Sequence, residues 1–221
     1  INGKSVPIAE GDTILDAARA QGVEIPTLCW YPKLPTVGNC RICLVSVEGQ
    51  GKLLPACATP AADGMVVQTE SPAAVENRRG VLGMLLERYP LQHLQGNGHP
   101  PPPRNEFEQY VTRYQVPLPS EQPLGLRGGD TRPGDVMIQH DMSLCILCTR
   151  CVRACDDIQE VGVLDVGQRG AHTEIIVGGD GDPDHAGCTW CGECVRVCPT
   201  GAIFEVIPRE RFGAEAVRHP D

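Results

Sequence analysis

Twelve cysteines, concentrated in three short segments, constrain this 221-residue chain more than any other feature. Two segments carry the same run: three cysteines at Cys-x2-Cys spacing, then a fourth after three intervening residues. The first segment instead has the spacing Cys-x10-Cys-x2-Cys-x13-Cys. The three sets are, in chain order, Cys29, Cys40, Cys43 and Cys57; Cys145, Cys148, Cys151 and Cys155; and Cys188, Cys191, Cys194 and Cys198. Such close spacing favours thiolates that converge on metal centres over the disulfides of a secreted protein.

Charge and hydropathy argue against several classes of partner. The formal net charge of −9 disfavours nucleic acid, which binds basic faces. The longest apolar stretches, such as residues 81–86, are far too short to span a bilayer. No secretory leader is visible, and thiolates that bind metal indicate a reducing compartment. We therefore expect a cytoplasmic location, no membrane span and no nucleic-acid partner.

The repeated run predicts two [4Fe-4S] clusters. In each copy three cysteines wrap around one cluster, and the fourth, expected at the start of a helix that points away, reaches the other cluster. The predicted ligands are Cys145, Cys148, Cys151 and Cys198 for one cluster and Cys188, Cys191, Cys194 and Cys155 for the other. Zinc is the alternative, but it favours two separated Cys-x2-Cys pairs per site. The two copies differ at one point, because Asp156 stands where the second copy has Pro199.

The N-terminal set predicts a [2Fe-2S] cluster, although its spacing is less diagnostic. The predicted ligands are Cys29, Cys40, Cys43 and Cys57. On spacing alone, a zinc site or buried cysteines without a metal remain open. A strand–strand–helix pattern before the cysteine loop, as in [2Fe-2S] ferredoxins, favours the cluster. Gly38 would let the backbone approach it closely, and nearby N–H groups could bond the sulfurs.

These patterns predict an α+β protein built from three regions and a tail. Residues 1–71 are expected to form an N-terminal β-grasp [2Fe-2S] ferredoxin-like domain. Residues 72–135 are expected to form a helical and irregular linker, rich in Pro and Gly towards its end. Residues 136–208 are expected to form a C-terminal two-[4Fe-4S] ferredoxin-like domain, followed by a tail at 209–221.

Local signals predict several helices and strands. In the first region we expect two strands within residues 1–8 around an Asn-Gly turn, a helix capped by Thr13 with Asp16, and strands at 44–47 and 65–69. Ser71 and Pro72 predict the start of a second helix that ends at Tyr89. Further along the chain, we expect a short helix at 107–114 and strands at 163–166, 174–177 and 203–207.

The motifs resemble an iron–sulfur region shared by three groups of proteins. These are the large electron-input subunit of respiratory complex I, the small diaphorase subunit of NAD-reducing [NiFe]-hydrogenases, and the N-terminal region of the large subunit of NAD-dependent formate dehydrogenases. The resemblance is carried by residues 26–29 (PTLC), 38–45 (GNCRICLV), 55–57 (PAC) and 144–156 (LCILCTRCVRACD), and extends over about residues 1–207. All eight ferredoxin-type cysteines are present, as in the hydrogenase and formate dehydrogenase branch, whereas complex I members keep four.

The resemblance also implies a fourth cluster that this chain lacks the cysteines to bind. In the family, one His and three Cys after the second helix hold a further [4Fe-4S]. Here the His position is Tyr89, the first Cys position is His93, and no cysteine lies between Cys57 and Cys145. We therefore predict that this histidine-ligated [4Fe-4S] cluster is absent. Ligation by histidines or carboxylates alone is the alternative, and a solvent-facing or capping role for His93 and His99 is favoured.

The resemblance implies a non-catalytic electron-transfer subunit. Its partners would be an FMN/NAD-binding flavoprotein subunit and a catalytic subunit of the hydrogenase or formate dehydrogenase type. No nucleophile–base pair, phosphate loop or paired carboxylate stands out in the sequence. The length of the chain favours a separate small subunit of the hydrogenase type over a split N-terminal part of a molybdenum or tungsten formate dehydrogenase. The alternative from another class is a structural or redox-sensing iron–sulfur scaffold.

Overall fold

The structure is a computed structural model that describes residues 1–95, 103–121, 124–126, 137–179, 181 and 185–205. Its first region contains one helix and three short strands: α1 (Ile14–Ala20), β1 (Leu44–Val47), β2 (Leu54–Pro55) and β3 (Val67–Gln68). Strand β1 lies in the centre of the sheet and is antiparallel to both neighbours, in the order β2-β1-β3. The predicted strand at 44–47 is confirmed, and the one expected at 65–69 is limited to two residues.

Helix α1 begins as its sequence predicts. The hydroxyl of Thr13 accepts a hydrogen bond from the backbone N–H of Asp16 at 3.2 Å, and the Asp16 carboxylate accepts one from the N–H of Thr13 at 3.0 Å. This capping box satisfies N–H groups that the first turn of a helix leaves without intrahelical partners. The helix buries Ile14, Leu15 and Ala18 in a core with the sheet.

Residues 1–8 form the predicted turn but not the predicted strands. Asn2 and Gly3 adopt φ values of +50° and +77°, and the N–H of Lys4 donates to the carbonyl of Ile1 at 3.0 Å. The segment is attached to β3 by the N–H of Asn2, which donates to the Val67 carbonyl at 2.8 Å. The strand prediction is wrong because β3 is too short to offer a continuous edge for a second ladder.

The second helix, α2 (Pro72–Leu86), begins where the sequence predicts but ends before the predicted Tyr89. Ser71 is its N-cap, with the side-chain oxygen 3.3 Å from the N–H of Ala74, and Pro72 occupies the first helical position. The helix ends three residues before Tyr89, and a single 3₁₀ turn, Leu91–His93, follows.

Among the described residues, no helix is long and apolar enough to cross a membrane.

The described part of the predicted linker contributes to the main core. Helix α3 (Glu106–Arg113), predicted at 107–114 and confirmed, is capped by Asn105. It buries Phe107 and Val111 in a cluster that also contains residues of the first region, of α2 and of the C-terminal region. The other members of that cluster include Leu28, Ile42, Leu82, Leu86, Tyr89, Tyr114, Leu144 and Ala202. The three regions therefore share one hydrophobic core in the described part of the chain.

Two small antiparallel sheets form the C-terminal region. Strand β4 (Ile138–His140) pairs with β7 (Ile203–Glu205), and β5 (Leu164–Gly167) pairs with β6 (Glu174–Val177). The predicted strand at 174–177 is confirmed, and the one at 163–166 begins one residue later than predicted. The predicted strand at 203–207 is seen as far as residue 205, and its last two residues lie outside the described part of the chain. Residues 96–102 and 127–136 of the predicted linker and the predicted tail at 209–221 also lie outside it.

Each cysteine run contains one short helix, which lies near its third cysteine. Helix α4 (Arg150–Arg153) continues as a π-helical turn, Ala154–Ile158, and α5 (Glu193–Val197) ends just before Cys198. The prediction that each fourth cysteine begins a helix is therefore wrong. The helical turn starts near the third cysteine instead; Cys155 lies inside the π-helical turn, whereas Cys198 directly follows the end of α5.

Candidate metal centres

The two cysteine runs fold into loops with the same backbone path. Leu147 and Trp190, each just before the second cysteine of a run, both have a φ of +55°. Thr149 and Gly192, each just after that cysteine, have φ values of +61° and +77°. Left-handed conformations at non-glycine residues are energetically unfavourable and gather at functional sites. The repeat seen in the sequence is therefore also a repeat of strained backbone geometry.

These left-handed turns direct backbone N–H groups at sulfur. The N–H of Leu147 lies 3.4 Å from Sγ of Cys145, and the N–H of Trp190 lies 3.4 Å from Sγ of Cys188. Hydrogen bonds of this kind stabilise negative charge on a ligating sulfur and tune the metal centre. In both runs, therefore, the sulfur of the first cysteine has the same backbone N–H contact.

The two runs exchange their fourth cysteines in space. One cavity is lined by Cys145, Cys148, Cys151 and Cys198, together with apolar side chains such as Ile146, Ile175 and Ala202. A second cavity is lined by Cys155, Cys188, Cys191 and Cys194, together with Val161, Val163 and Ile203. The sets brought together are those predicted as ligands of the two [4Fe-4S] clusters; the ligation itself stays a prediction.

Three of the thiols in these cavities, those of Cys148, Cys151 and Cys194, are difficult to ionise without a metal. Burial is the main cause that raises the pKa of Cys148 and of Cys194 to about 12. Burial, followed by the neighbouring thiols of Cys148 and Cys198, raises the pKa of Cys151 well above its ordinary value. A cluster supplies the positive charge that lets such a group of sulfurs bind as thiolates.

The N-terminal set gathers around the start of β1 and the end of β2. Three of its cysteines lie in the loop before β1, and the β1–β2 hairpin returns the chain to Cys57. The Sγ atoms of Cys43 and Cys57 are 3.4 Å apart, and the N–H of Cys40 lies 3.4 Å from Sγ of Cys29. Gly38 has a φ of +58°, so it supplies the left-handed turn in this loop.

Pairing shifts the pKa values of these four thiols in opposite directions. A hydrogen bond with Cys40 is the main cause that lowers the pKa of Cys29 to about 5, and one with Cys57 lowers that of Cys43 to about 7. The same bonds, followed by burial, raise the pKa values of Cys40 and Cys57. One sulfur of each pair is thereby stabilised as a thiolate, the form that binds metal.

The donor sets suit iron–sulfur clusters. Each of the three sites presents four cysteines in a largely apolar setting, and each has a backbone N–H group directed at a sulfur. Within the described part of the chain, no three His, Cys, Asp or Glu side chains are placed to hold a single metal ion.

A polar network occupies the place where the resemblance would put the histidine-ligated cluster. Tyr89 is buried, and its hydroxyl donates to Oε1 of Glu108 at 2.8 Å and accepts from the amide of Asn105 at 3.1 Å. His93 is half-buried and lies edge-on to Tyr89, with ring centroids 6.3 Å apart, rather than facing solvent. His99, the other histidine considered, lies outside the described residues.

Glu108 is fully buried and is held as a carboxylate by Arg104. Its oxygens accept hydrogen bonds from the backbone N–H of Arg104 at 2.8 Å and from its guanidinium at 2.9 Å. Burial opposes ionisation of Glu108, but the hydrogen bonds from Arg104 and Tyr89 outweigh it and lower the pKa of this carboxyl. Burial is also the main cause that raises the pKa of Tyr89.

Several buried arginines were not predicted from the sequence. Arg150 and Arg153, on α4, donate to backbone carbonyls of the first region, those of Thr27 and Cys29 respectively. Arg78, on α2, donates to three backbone carbonyls and one carboxylate. The only signal in the sequence was the presence of charged residues inside a cluster-binding run and inside an apolar helix face.

The two regions that carry the sites match two known domain families. Residues 1–72 match a 2Fe-2S iron-sulfur cluster binding domain, and residues 135–204 match the ferredoxin-like domain of NADH-quinone oxidoreductase subunit 3. Fold, cysteine geometry and these matches define the class: an iron–sulfur protein that joins a [2Fe-2S] domain to a ferredoxin-like domain.

The chain is also similar to parts of two longer oxidoreductase subunits. It is 38% identical over 210 residues to an NADH-quinone oxidoreductase subunit of Rhizobium meliloti (strain 1021), covering 92% of this chain and 23% of the relative. It is 37% identical over 217 residues to the NADP-reducing hydrogenase subunit HndD of Solidesulfovibrio fructosivorans, covering 93% of this chain and 35% of the relative. The chain thus spans about a quarter to a third of the length of these curated relatives.

The fold is also similar to that of a chain in a solved structure. The crystal structure of an NAD+-reducing [NiFe]-hydrogenase in the H2-reduced state contains a chain that superimposes with a TM-score of 0.72 at 28% identity. The match covers 90% of this chain and 83% of that chain. The predicted resemblance to complex I and hydrogenase iron–sulfur subunits is therefore confirmed.

Proposed function

We propose that this chain is the electron-transfer subunit of a multi-subunit NAD(P)-linked oxidoreductase. It would pass electrons between an FMN/NAD-binding flavoprotein and a catalytic subunit of the hydrogenase or formate dehydrogenase type. The observation that carries the proposal is the pair of cysteine-lined cavities in the C-terminal region, which lie side by side and share His140 and Ile203 in their linings. Clusters bound there would lie close enough to exchange single electrons.

The proposed cofactors are one [2Fe-2S] cluster and two [4Fe-4S] clusters, without the further cluster that one His and three Cys hold in the family. The [2Fe-2S] cluster is assigned to the Cys29 set, in a domain whose α1 packing beside a central β1 supports the β-grasp fold. The [4Fe-4S] clusters are assigned to the two sets with exchanged fourth cysteines. The Tyr89–Glu108 network supports the absence of the other cluster, because the residue at the family's histidine position is a tyrosine whose hydroxyl bonds Glu108 and Asn105.

The iron content of the purified chain tests this assignment. A fully loaded chain should contain about 10 iron and about 10 sulfide. About 14 of each would show that the fourth cluster is present after all. About 2 iron would restrict the clusters to the N-terminal domain.

The two ends of the chain would face different partners. Cys191 is exposed, whereas Cys29, Cys43 and Cys57 are buried. An exposed ligand shortens the path for an electron to a docked protein, which supports the ferredoxin end as the contact with the catalytic subunit. By the resemblance, the [2Fe-2S] end would face the flavoprotein. We propose a cytoplasmic complex, without a nucleic-acid partner or a membrane span of this subunit.

Reduction of the clusters within the purified complex tests the electron-transfer role. NADH or NADPH, added anaerobically, should reduce the clusters of this subunit through the flavoprotein, as followed by EPR. Metal analysis of the co-purifying subunits then identifies the catalytic partner: nickel indicates a hydrogenase, and molybdenum or tungsten a formate dehydrogenase. If neither pyridine nucleotide nor dithionite reduces any cluster, the electron-transfer role is refuted.

That negative result would favour a scaffold or redox-sensing role. The observation in support of this alternative is the buried junction between the two iron–sulfur regions, in which Arg150 and Arg153 bond to the cysteine loop of the first region. A scaffold would keep the complex assembled with clusters that stay in one redox state during turnover.

A further inference from the structure

Arg153 is a buried cation at the junction between the two iron–sulfur regions. Its guanidinium donates to the carbonyl oxygen of Cys29 at 2.5 Å and to that of Pro35 at 2.8 Å. Its Nε lies 3.4 Å from the hydroxyl of Thr149, in the turn before the same helix. The residue is only 9% exposed. The side chain therefore reaches from α4 into the loop that carries the first cysteine of the N-terminal set.

The hydrogen-bond partners of Arg153 are neutral. In the described part of the chain, no carboxylate forms an ion pair with it. Its neighbour Arg150 differs in this respect, since both of its terminal nitrogens bond the Glu106 carboxylate, at distances of 2.9 to 3.1 Å. Burial of a charge is unfavourable unless an opposite charge compensates it. Arg150 has that compensation within the chain, whereas Arg153 is bonded only to two carbonyls and a hydroxyl.

Arg153 also occupies a special place in the sequence. It stands two residues after Cys151, which lines one of the C-terminal cavities, and two residues before Cys155, which lines the other. Through its hydrogen bond to the Cys29 carbonyl, Arg153 also contacts the N-terminal cysteine set. One side chain thus joins backbone segments that belong to all three candidate cluster sites.

The surrounding contacts hold this junction in place. Two guanidinium groups lie near the ring of Tyr31, with distances to the ring centroid of 5.5 Å for Arg150 and 5.7 Å for Arg196. The Tyr31 hydroxyl also accepts a hydrogen bond from Arg196 at 3.0 Å. Leu34 packs against Ala154, next to Arg153 in the chain. The cysteine loop is therefore fixed on α4 independently of Arg153.

We propose that Arg153 is the counter-ion of the [2Fe-2S] cluster at the Cys29 set and sets its reduction potential. This inference rests on the cluster assignment of the proposed function. A cluster bound by four thiolates is anionic, and each electron that it accepts adds one negative charge. A cation held beside it stabilises the reduced form more than the oxidised form. Arg153 therefore raises the potential at which this cluster accepts an electron.

Three variants of the complex separate this role from a purely structural one. Arg153→Gln removes the charge but keeps a hydrogen-bond donor, Arg153→Lys keeps the charge, and Arg150→Gln is the matched control on the same helix. Potentiometry monitored by EPR measures the midpoint potential of the [2Fe-2S] cluster in each. We expect a clearly lower potential in Arg153→Gln, a potential close to that of the wild type in Arg153→Lys, and no change in Arg150→Gln.

The outcomes distinguish this inference from the proposed function. Equal shifts in Arg153→Gln and Arg150→Gln, or no shift in either, would overturn the counter-ion role while the electron-transfer role stands. If Arg153→Gln does not fold, Arg153→Lys decides alone, because a large fall in its potential with an intact cluster would contradict a charge effect. A wild-type protein without any [2Fe-2S] signal would refute the cluster assignment itself.

Discussion

The hydroxyl of Tyr89, at the end of α2, donates a hydrogen bond to the fully buried carboxylate of Glu108 in the first turn of α3. Asn105 connects this pair to the C-terminal region, since its amide also donates to the carbonyl of Thr200 at 3.1 Å. The pair lies where the resembled family binds a cluster through histidine. Hydrogen bonds therefore connect α2, α3 and the C-terminal region at this point.

Loss of the Tyr89 hydroxyl tests this role directly. Tyr89→Phe leaves a buried carboxylate with one hydrogen bond fewer, so we expect the free energy of unfolding to fall by about 1–3 kcal/mol. Equilibrium denaturation of the cluster-loaded protein measures the change. The iron content should remain at the wild-type value. A loss of iron in the variant would indicate that this segment binds metal.

Stability should depend on acid pH through Glu108. Its pKa is lowered in the folded state, so it contributes stability above its unfolded pKa of about 4.3, and this contribution is lost as the pH falls through the folded value. The difference in unfolding free energy between the wild type and Glu108→Gln should be largest near neutral pH and shrink below about pH 4. A difference independent of pH would contradict an ionised Glu108.

The exchange of fourth cysteines predicts which cluster each substitution damages. Cys155→Ala should disrupt the cluster at the Cys188, Cys191 and Cys194 set and leave the other [4Fe-4S] signal intact, because ligand loss destabilises only the cluster that it holds. Cys198→Ala is the matched variant, with the reverse expectation. EPR of the reduced protein and iron analysis distinguish the two. Loss of the Cys145 cluster alone in Cys155→Ala would refute the exchange.

The left-handed turn at Gly192 gives a test based on backbone geometry. Its φ is +77°, and an added Cβ would lie 3.0 Å from a carboxylate oxygen of Glu205. We expect Gly192→Ala to lower stability by about 1 kcal/mol or more and to reduce occupancy of the adjacent cluster site. Thermal unfolding and iron content measure both effects.

The control for Gly192 is Gly51→Ala, at an exposed position. Gly51 does not need a left-handed φ, and an added Cβ would have no atom within 4 Å. We expect this variant to be neutral or slightly stabilising, because alanine restricts the unfolded chain. Equal destabilisation by the two variants would argue against a special role for the turn at Gly192.

Local signals in the sequence predicted the features that depend on neighbouring residues. The capping box of Thr13 and Asp16, the Ser71–Pro72 helix start and the strand at Glu174–Val177 all formed as predicted. The spacing of the cysteines likewise predicted three sets of four, and the structure brings those sets together. Each of these features is set by contacts over a few residues or by a repeat.

Predictions that needed a distant partner were less successful. The strands expected within residues 1–8 did not form, because β3 offers only a two-residue edge. Helices were expected to begin at the fourth cysteines, but α5 ends at Val197, just before Cys198, and Cys155 lies inside a helical turn. The turn at Asn2–Gly3 and the helical turns of the cysteine runs did form, but the missing strands and the positions of the helix ends depended on neighbouring segments.

The sequence by itself determined which side chains are available to bind metal: twelve cysteines in three closely spaced groups. Only the tertiary structure decided how those sets are joined. The contacts of Arg153 with Cys29 and of Tyr89 with Glu108 bridge residues that are 124 and 19 positions apart. No periodicity or spacing encodes such pairs, because a buried charge finds its partners only when the chain has folded around it.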